Sequence, residues 1–125
     1  MLSAKNAAAT IPVRDIQAAK RFYEGTVGLN LENSEEPEAL VFKSGHSKVL
    51  VYQSQFAGTN QATAATWGVG NDLEKIVQEL KAKGVSFERY DMPDLTRQGD
   101  IYVSDGMKVA WFKDPDGNIL ALVSD

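Results

Sequence analysis

Apolar residues recur along the first half of the chain with the periods of strands and helices. Residues 8–13 predict a strand, and Asp15 then stands at a helix N-cap position, where its carboxylate can accept the free amide hydrogens of the first turn. The predicted helix has one apolar stripe, at offsets 0, 3, 6 and 7, formed by Ile16, Ala19, Phe22 and Tyr23. Three further strands are predicted at residues 29–32, 39–43 and 48–53, with a hairpin turn at 44–47.

The pattern starts again after a small, polar, glycine-containing segment, residues 54–62. A strand is predicted at 65–70, and Asn71 and Glu74 are spaced as in a capping box. Apolar residues at offsets 0, 3, 4 and 7 indicate an amphipathic helix, namely Leu73, Ile76, Val77 and Leu80. Gly84 is placed to end that helix in a left-handed conformation. The remaining predicted strands are 85–89, 100–104, 108–112 and 119–123, with a turn at 114–117.

The two halves repeat the same order of elements. Residues 13–28 and 69–84 each contain a strand end, an acidic helix start, an amphipathic helix and a glycine, and the offset between them is 56 residues. Each half is therefore predicted to be β-α-β-β-β, which is too small to bury its own apolar face alone. We expect an α+β fold in which two half-barrels enclose a cleft. The expected organisation is one domain over residues 1–125, with repeats at about 6–54 and 63–125 and a linker at 55–62.

Composition excludes several classes of protein and site. Of the 125 residues, 43% are hydrophobic and 24% are charged, which is ordinary for a globular protein. We expect no secretory signal in residues 1–9 and no membrane partner, because no apolar run approaches the roughly 20 residues of a spanning helix. The absence of cysteine excludes disulfides, thiolate catalysis and cysteine-ligated metals, and is compatible with the cytoplasmic location that we predict.

Charge argues against nucleic acid as a partner. The net charge is −4, and lysine and arginine are scattered rather than gathered in a basic stripe. The densest acidic stretch is residues 32–38, which we interpret as a solvated loop or strand edge. A docking site for a cationic partner is the alternative interpretation of that stretch.

Two motifs are similar to the opening and closing motifs of a known superfamily. The opening motif is Ile11-Pro12-Val13-Arg14-Asp15, followed by Phe22-Tyr23 and Gly28-Leu29, and the closing motif is Trp111-Phe112-Lys113-Asp114-Pro115-Asp116-Gly117-Asn118. They resemble the vicinal oxygen chelate superfamily, which contains glyoxalase I, extradiol dioxygenases, fosfomycin-modifying enzymes and bleomycin-binding resistance proteins. The resemblance covers roughly residues 8–123 and supports the paired βαβββ architecture. It is weak for function, because one scaffold serves many chemistries.

Enzymes of that superfamily usually hold a divalent metal with four side chains, two from each half. The resemblance implies that the corresponding positions here are Ala8, residues 49–51, Ala65 and Ala121. None of these side chains carries a metal-binding atom, so we predict neither a metal nor another cofactor. His46, the single histidine, stands in the predicted hairpin turn, and Asp114 and Asp116 are assigned to a turn rather than to a metal site.

The resemblance and the strand period of two together select the side chains expected to line the cleft. Trp67 and Trp111 are predicted to face the same space and to form an aromatic slot for a flat ligand. A cation over an indole face is a second use, and core filling is the alternative role for each tryptophan. The other predicted ligand-binding residues are Thr10, Val69, Val109, Ala121, Tyr102 and Asp100.

Polar groups at the rim of the slot are predicted after residue 90. Tyr102 would offer a hydroxyl group and Asp100 an acceptor, and Arg97 is a candidate partner for an anionic substituent. The loop at residues 91–99 is a candidate flap. No Ser-His-Asp or Cys-His set is recognisable, so a carboxylate with a raised pKa is the remaining candidate general base, with Asp100 first.

Three functional hypotheses follow. The first is a small-molecule binding protein that binds a flat, partly apolar ligand as a homodimer and catalyses no reaction. In this it would be similar to the drug-sequestering members of the superfamily. The second is an atypical lyase, isomerase or dioxygenase of the same superfamily. The third is a partner-binding module whose cleft is filled by its own side chains.

Overall fold

The computed structural model describes residues 1–33 and 39–125, so most of the predicted acidic stretch, residues 34–38, lies outside the described residues. The chain divides into two compact units, Met1–Thr59 and Asn60–Asp125. The boundary falls inside the segment predicted as a linker. The organisation of the units as one domain remains a prediction.

The first unit contains a four-stranded sheet and one helical segment. Its strands are β1 (Ala9–Val13), β2 (Asn30–Asn33), β3 (Ala39–Ser44) and β4 (Ser47–Gln53), and α1 (Ile16–Lys20) continues into a π-helical turn, Arg21–Thr26. The strand order is β1-β4-β3-β2, with β1 parallel to β4. The predicted N-cap is confirmed, because Asp15 accepts hydrogen bonds from the amides of Gln17 and Ala18, at 3.0 and 3.2 Å.

Alternation along β1 separates the two faces of the first sheet. Ile11 and Val13 are fully buried, and the buried Val51 lies opposite Ile11 on β4. Thr10 directly precedes Ile11, so it projects from the other face, and it is exposed. The core of the first unit therefore lies on one face of its sheet, as expected for a half-buried strand pattern.

The second unit contains a five-stranded sheet and one longer helix. Its elements are β5 (Thr63–Gly68), α2 (Leu73–Ala82), β6 (Thr96–Gln98), β7 (Ile101–Ser104), β8 (Met107–Lys113) and β9 (Ile119–Val123). The strand order is β5-β9-β8-β7-β6, with β5 parallel to β9. Both units thus place their first strand beside their last one. The predicted α+β fold class is confirmed.

Helix α2 ends as predicted and begins differently. Gly84 has φ +93°, and the amides of Gly84 and Val85 donate to the carbonyls of Lys81 and Leu80, both at 3.0 Å, which is a Schellman ending. The predicted capping box of Asn71 and Glu74 is wrong. The N-cap is Asp72, which makes no side-chain capping bond. The Glu74 carboxylate instead accepts a hydrogen bond from Lys108, 2.7 Å away on β8.

Two predictions between residues 85 and 99 are also corrected. The predicted strand at 85–89 makes only an isolated bridge, Phe87 to Phe112. The loop predicted at residues 91–99 contains β6, which pairs with β7 as the sheet edge, and its role as a flap remains a prediction. Short polar segments of this kind are poorly marked in sequence, because edge strands lack apolar alternation. No helix in the described parts of the chain is both long and apolar enough to cross a membrane.

Candidate functional site

The register of β8 and β9 divides the second sheet into two faces with different roles. Ala110 and Phe112 on β8 lie opposite Leu122 and Leu120 on β9, and all four side chains are buried; we call this the core face. The alternate residues form the opposite face, which we call the cavity face; they include Val109, Trp111, Ile119 and Ala121. Trp111 lies directly opposite Ala121. The predicted shared orientation of these four residues agrees with this register.

Trp67 lies on the core face, which corrects the expectation that both indoles face the same space. On β5, Thr63 lies opposite Ile119, but Ala65 lies opposite Leu120. Ala64 is therefore an extra residue, a β-bulge. One extra residue moves every later side chain of the strand to the other face, since side chains alternate with period two. Trp67 consequently pairs with Leu122 of the core face.

A cavity of about 310 Å³ opens on the cavity face. This volume is at the lower end of the roughly 300–1,000 Å³ found for small-molecule sites. Its wall consists of Gln61, Thr63, Tyr90, Met92, Trp111 and Ile119, with the methyl group of Ala62 between the first two. Thr63 precedes the bulge, which is why it shares this face while Trp67 does not.

Trp111 is held among aromatic rings. Tyr90 and Tyr102 pack edge-on against it, with ring centroids 5.5 and 5.4 Å from the indole and interplanar angles of 71° and 64°. The amide of Glu88 donates to the carbonyl of Trp111 at 2.8 Å, which ties the segment carrying Tyr90 to β8. Edge-to-face contacts of this kind are favourable arrangements of aromatic rings.

The predicted role of the Tyr102 hydroxyl at a ligand rim is not what the structure shows. Tyr102 is buried, its hydroxyl donates to the carbonyl of Tyr90 at 2.8 Å, and the same oxygen accepts from the Tyr90 amide. This side chain therefore fixes the backbone of Tyr90. The residue that borders the cavity is Tyr90 itself.

The Tyr90 side chain is neutral at ordinary pH. Burial, followed by the negative charge of Glu88, raises the pKa of its phenol above the usual value, against a smaller opposing effect of Lys113. The phenol oxygen is shielded from solvent and has no hydrogen-bond partner among the described residues. Tyr90 thus contributes an uncharged aromatic wall.

Asp100 and Arg97 are engaged away from the cavity. The Asp100 carboxylate lies 2.8 Å from Lys81 Nζ and 3.3 Å from Arg89 Nη2, and its side chain is only 10% exposed. The hydrogen bond from Lys81 is the largest of the effects that lower the pKa of Asp100. The prediction of a general base with a raised pKa is therefore wrong for this residue. Arg97 donates to the carbonyl of Gly99 at 2.9 Å.

The remaining predicted ligand-binding residues do not border this cavity. Val109 and Ala121 are on the cavity face but are not part of the cavity wall. Val69 follows β5, and its amide donates a hydrogen bond to the carbonyl of Val123 at 2.8 Å. Thr10 belongs to the first unit, where its hydroxyl donates to Ala8 at 3.4 Å. Their contact with a ligand remains a prediction.

The residues at the implied metal positions do not fit a divalent ion. Ala8, Ala65 and Ala121 carry methyl groups, and residues 49–51 are valine and leucine. Across residues 1–33 and 39–125, no group of three or more histidine, cysteine, aspartate or glutamate side chains is placed to hold a metal. Metal coordination needs nitrogen, oxygen or sulfur ligands in such a cluster. The absence of a metal in the protein remains a prediction.

Two other predicted polar positions have local roles in the structure. The buried Asp114 carboxylate accepts from the amides of Asp116 and Asn118, both at 2.9 Å, and Gly117 has φ +90°, so this is a turn as predicted. His46 is exposed and borders a separate cavity of about 400 Å³ in the first unit, beside Ala8 and Lys48.

Sequence reasoning identified one residue of the cavity wall, Trp111, and missed most of the others. Ile119 was assigned to the correct face, since strand alternation shows it, but was not selected as a site residue. Tyr90 and Met92 lie in irregular chain, where no period exists. Gln61 lies inside the predicted linker and Thr63 directly after it, and the sequence carries no signal that selects either side chain.

Comparison with known proteins identifies the fold. Residues 6–122 match the model of the Glyoxalase/Bleomycin resistance protein/Dioxygenase superfamily. A search of curated proteins gives no significant match. Among solved structures, the bleomycin resistance determinant encoded on transposon Tn5 is 18% identical, with 97% of this chain and 98% of that chain covered and a TM-score of 0.73.

Two other solved structures with a similar fold are named as a lyase and as a fosfomycin resistance protein. Lactoylglutathione lyase from Agrobacterium tumefaciens is 15% identical, with 96% of this chain and 92% of that chain covered and a TM-score of 0.70. Fosfomycin resistance protein FosX from Mesorhizobium loti is 14% identical, with 100% and 94% covered and a TM-score of 0.70. At these identities the likeness establishes the fold alone.

Proposed function

The chain belongs to the Glyoxalase/Bleomycin resistance protein/Dioxygenase superfamily, and from this we propose that it binds a small, flat, partly apolar molecule in the Trp111 cavity and sequesters it without a metal. The observation that carries the proposal is the cavity wall itself. Trp111 and Tyr90 border the space as partly buried aromatic rings, and Met92 and Ile119 add apolar surface. Aromatic and apolar walls with few polar groups are typical of small-molecule sites.

The positions of the two tryptophans make the proposal testable. Trp111 borders the cavity, whereas Trp67 lies on the core face of the same sheet. We expect Trp111→Ala to weaken the binding of a bicyclic aromatic such as naphthalene at least tenfold, because stacking and burial against the indole are lost. Trp67→Phe should leave the affinity unchanged within about twofold.

Binding is measured by isothermal titration calorimetry, which every variant allows, and the indole N–H shifts of the parent protein in a proton–nitrogen correlation spectrum show which tryptophan the ligand contacts. Thr63→Phe is a second variant, which narrows the cavity while it keeps Trp111, so a folding defect of Trp111→Ala does not decide the outcome. Equal affinity of the parent protein, Trp111→Ala and Thr63→Phe would overturn the proposal. A larger loss for Trp67→Phe than for the Trp111 variant would also overturn it.

Catalysis by an atypical lyase, isomerase or dioxygenase is the alternative. Two of the structural neighbours bear the names of a lyase and a fosfomycin resistance protein. The carboxylate first considered as a base, Asp100, is ion-paired with Lys81 and Arg89 and does not border the cavity. The geometry therefore favours binding over acid–base chemistry at this residue.

A homodimer and a cytoplasmic location belong to the same proposal. A two-fold dimer is the commonest assembly of soluble proteins, and the cysteine-free chain suits a reducing compartment. Light scattering coupled to size-exclusion chromatography tests the dimer. A mass of about 13.7 kDa at all concentrations would contradict it.

A further inference from the structure

The wall of the Trp111 cavity contains no charged side chain among the described residues, and this limits the ligands that it accepts. The groups around Trp111 are an amide, a hydroxyl, a neutral phenol, a thioether and hydrocarbon. Glu88 and Lys113, the two charged side chains that affect the pKa of Tyr90, pair with each other, with 3.4 Å between Oε1 and Nζ. An ionic ligand would lose hydration in the cavity without gaining a counter-charge.

The polar part of the wall is concentrated in two side chains. Gln61 and Thr63 both border the cavity, on the two sides of a bend at Ala62. Neither side chain forms a hydrogen bond to another described residue. The Gln61 amide offers donors and an acceptor together, and the Thr63 hydroxyl offers one donor and two acceptor lone pairs.

We propose that the ligand of this cavity is an uncharged planar molecule with a ring amide, whose N–H and C=O are recognised by the side chains of Gln61 and Thr63. The ring of such a molecule packs against Trp111 and Tyr90, and the amide edge faces the polar pair. A carboxamide side chain matches a ring amide because each supplies the donor that the other accepts. The inference rests on the proposed function, which it narrows to a ligand class.

The test compares three probes of similar shape: quinolin-2(1H)-one, which is a neutral ring amide; naphthalene, which has no polar atom; and quinoline-2-carboxylate, which is an anion. We expect the quinolinone to bind at least tenfold more tightly than either of the others. The affinities are measured by titration, with the Trp111 indole N–H shift as the readout.

Variants assign the discrimination to the polar pair. Gln61→Leu should weaken quinolinone binding about five- to tenfold and leave naphthalene binding unchanged, since only hydrogen bonds are removed. Thr63→Val should act in the same direction and less strongly. Gln78→Leu is the matched control, because Gln78 is exposed on α2 and does not border the cavity.

The possible failures are distinguishable. If naphthalene and the quinolinone bind equally, or if Gln61→Leu changes neither, the ring-amide inference is overturned while binding in the cavity stands. If the carboxylate binds most tightly, a cationic group outside this wall selects the ligand, and the inference is again overturned. If no probe shifts the Trp111 resonance, the inference and the proposed function fail together.

Discussion

The role of Tyr102 in the structure differs from the role predicted from the sequence. Its hydroxyl makes two hydrogen bonds to the backbone of Tyr90, twelve residues earlier in the chain. Local chemistry was predictable: Asp15 caps its helix and Asp114 closes its turn through neighbours within four residues. Partners brought together by the sheet are not visible in a sequence, because their spacing follows no period.

Asp100 gives the first prediction at this scale, through Asp100→Asn. The variant loses the ion pairs with Lys81 and Arg89 and should lower the free energy of unfolding by about 1–2 kcal/mol at neutral pH. Because the pKa of Asp100 is lowered in the folded state, this contribution is present above the unfolded value of about 3.9 and disappears as the pH falls through the folded value.

The free energies of unfolding of the parent protein and of Asp100→Asn are measured by urea unfolding at several pH values. The difference between them should narrow steadily below about pH 4. Glu79→Gln is the control, since the Glu79 to Lys75 pair is exposed and 4.0 Å long and should contribute less than about 0.5 kcal/mol. A constant difference down to low pH would contradict the assignment of the stabilisation to the Asp100 charge.

At the scale of elements, the largest departure from expectation is a single bulge. The alternation of β5 was read as continuous, and Ala64 breaks it by inserting one residue between Thr63 and Ala65. A bulge among small residues has no signature in this sequence, so the face of Trp67 could not be predicted. Helix α2, by contrast, is marked by its apolar stripe and by Gly84, and both were recognised.

The ending of α2 provides the prediction at this scale. Gly84→Ala places a side chain at φ +93°, a left-handed conformation that should cost about 1–2 kcal/mol of stability. Gly25→Ala is the matched control. Its φ is not left-handed and an added Cβ meets no atom within 4 Å, so it should be neutral or stabilising by about 0.4–1 kcal/mol. Thermal unfolding of both variants checks the pair, and equal destabilisation would contradict the Schellman ending.

At the scale of the whole molecule, the duplication was the strongest signal. The 56-residue offset predicted two similar units, and both have their first strand parallel to their last one. The superfamily follows from that order and from the two motifs. The residues of the candidate site could not be predicted in this way. Part of the cavity wall, Tyr90 and Met92, lies in irregular chain, where resemblance to a fold does not indicate which residues line a site.

The same register determines where a metal site could be introduced into the second sheet, and this gives the last prediction. The resemblance implies Ala65 and Ala121 as ligand positions, but the bulge puts their side chains on different faces of the sheet. Thr66 is the residue that pairs with Ala121 and shares its face. Neighbouring strands are about 4.8 Å apart, so histidines at 66 and 121 can hold one ion together. Thr66→His with Ala121→His should therefore be stabilised by Zn²⁺, by about 2.7 kcal/mol at a hundredfold excess over Kd.

Ala65→His with Ala121→His shares the substitution at the buried position 121 and is the matched control. Its thermal midpoint should not respond to Zn²⁺, because the two imidazoles point away from each other across the sheet. The parent protein should not respond either, since both positions carry methyl groups. Stabilisation of the Ala65 pair rather than the Thr66 pair would show that β5 runs without its bulge, and Trp67 would then face the same side as Trp111.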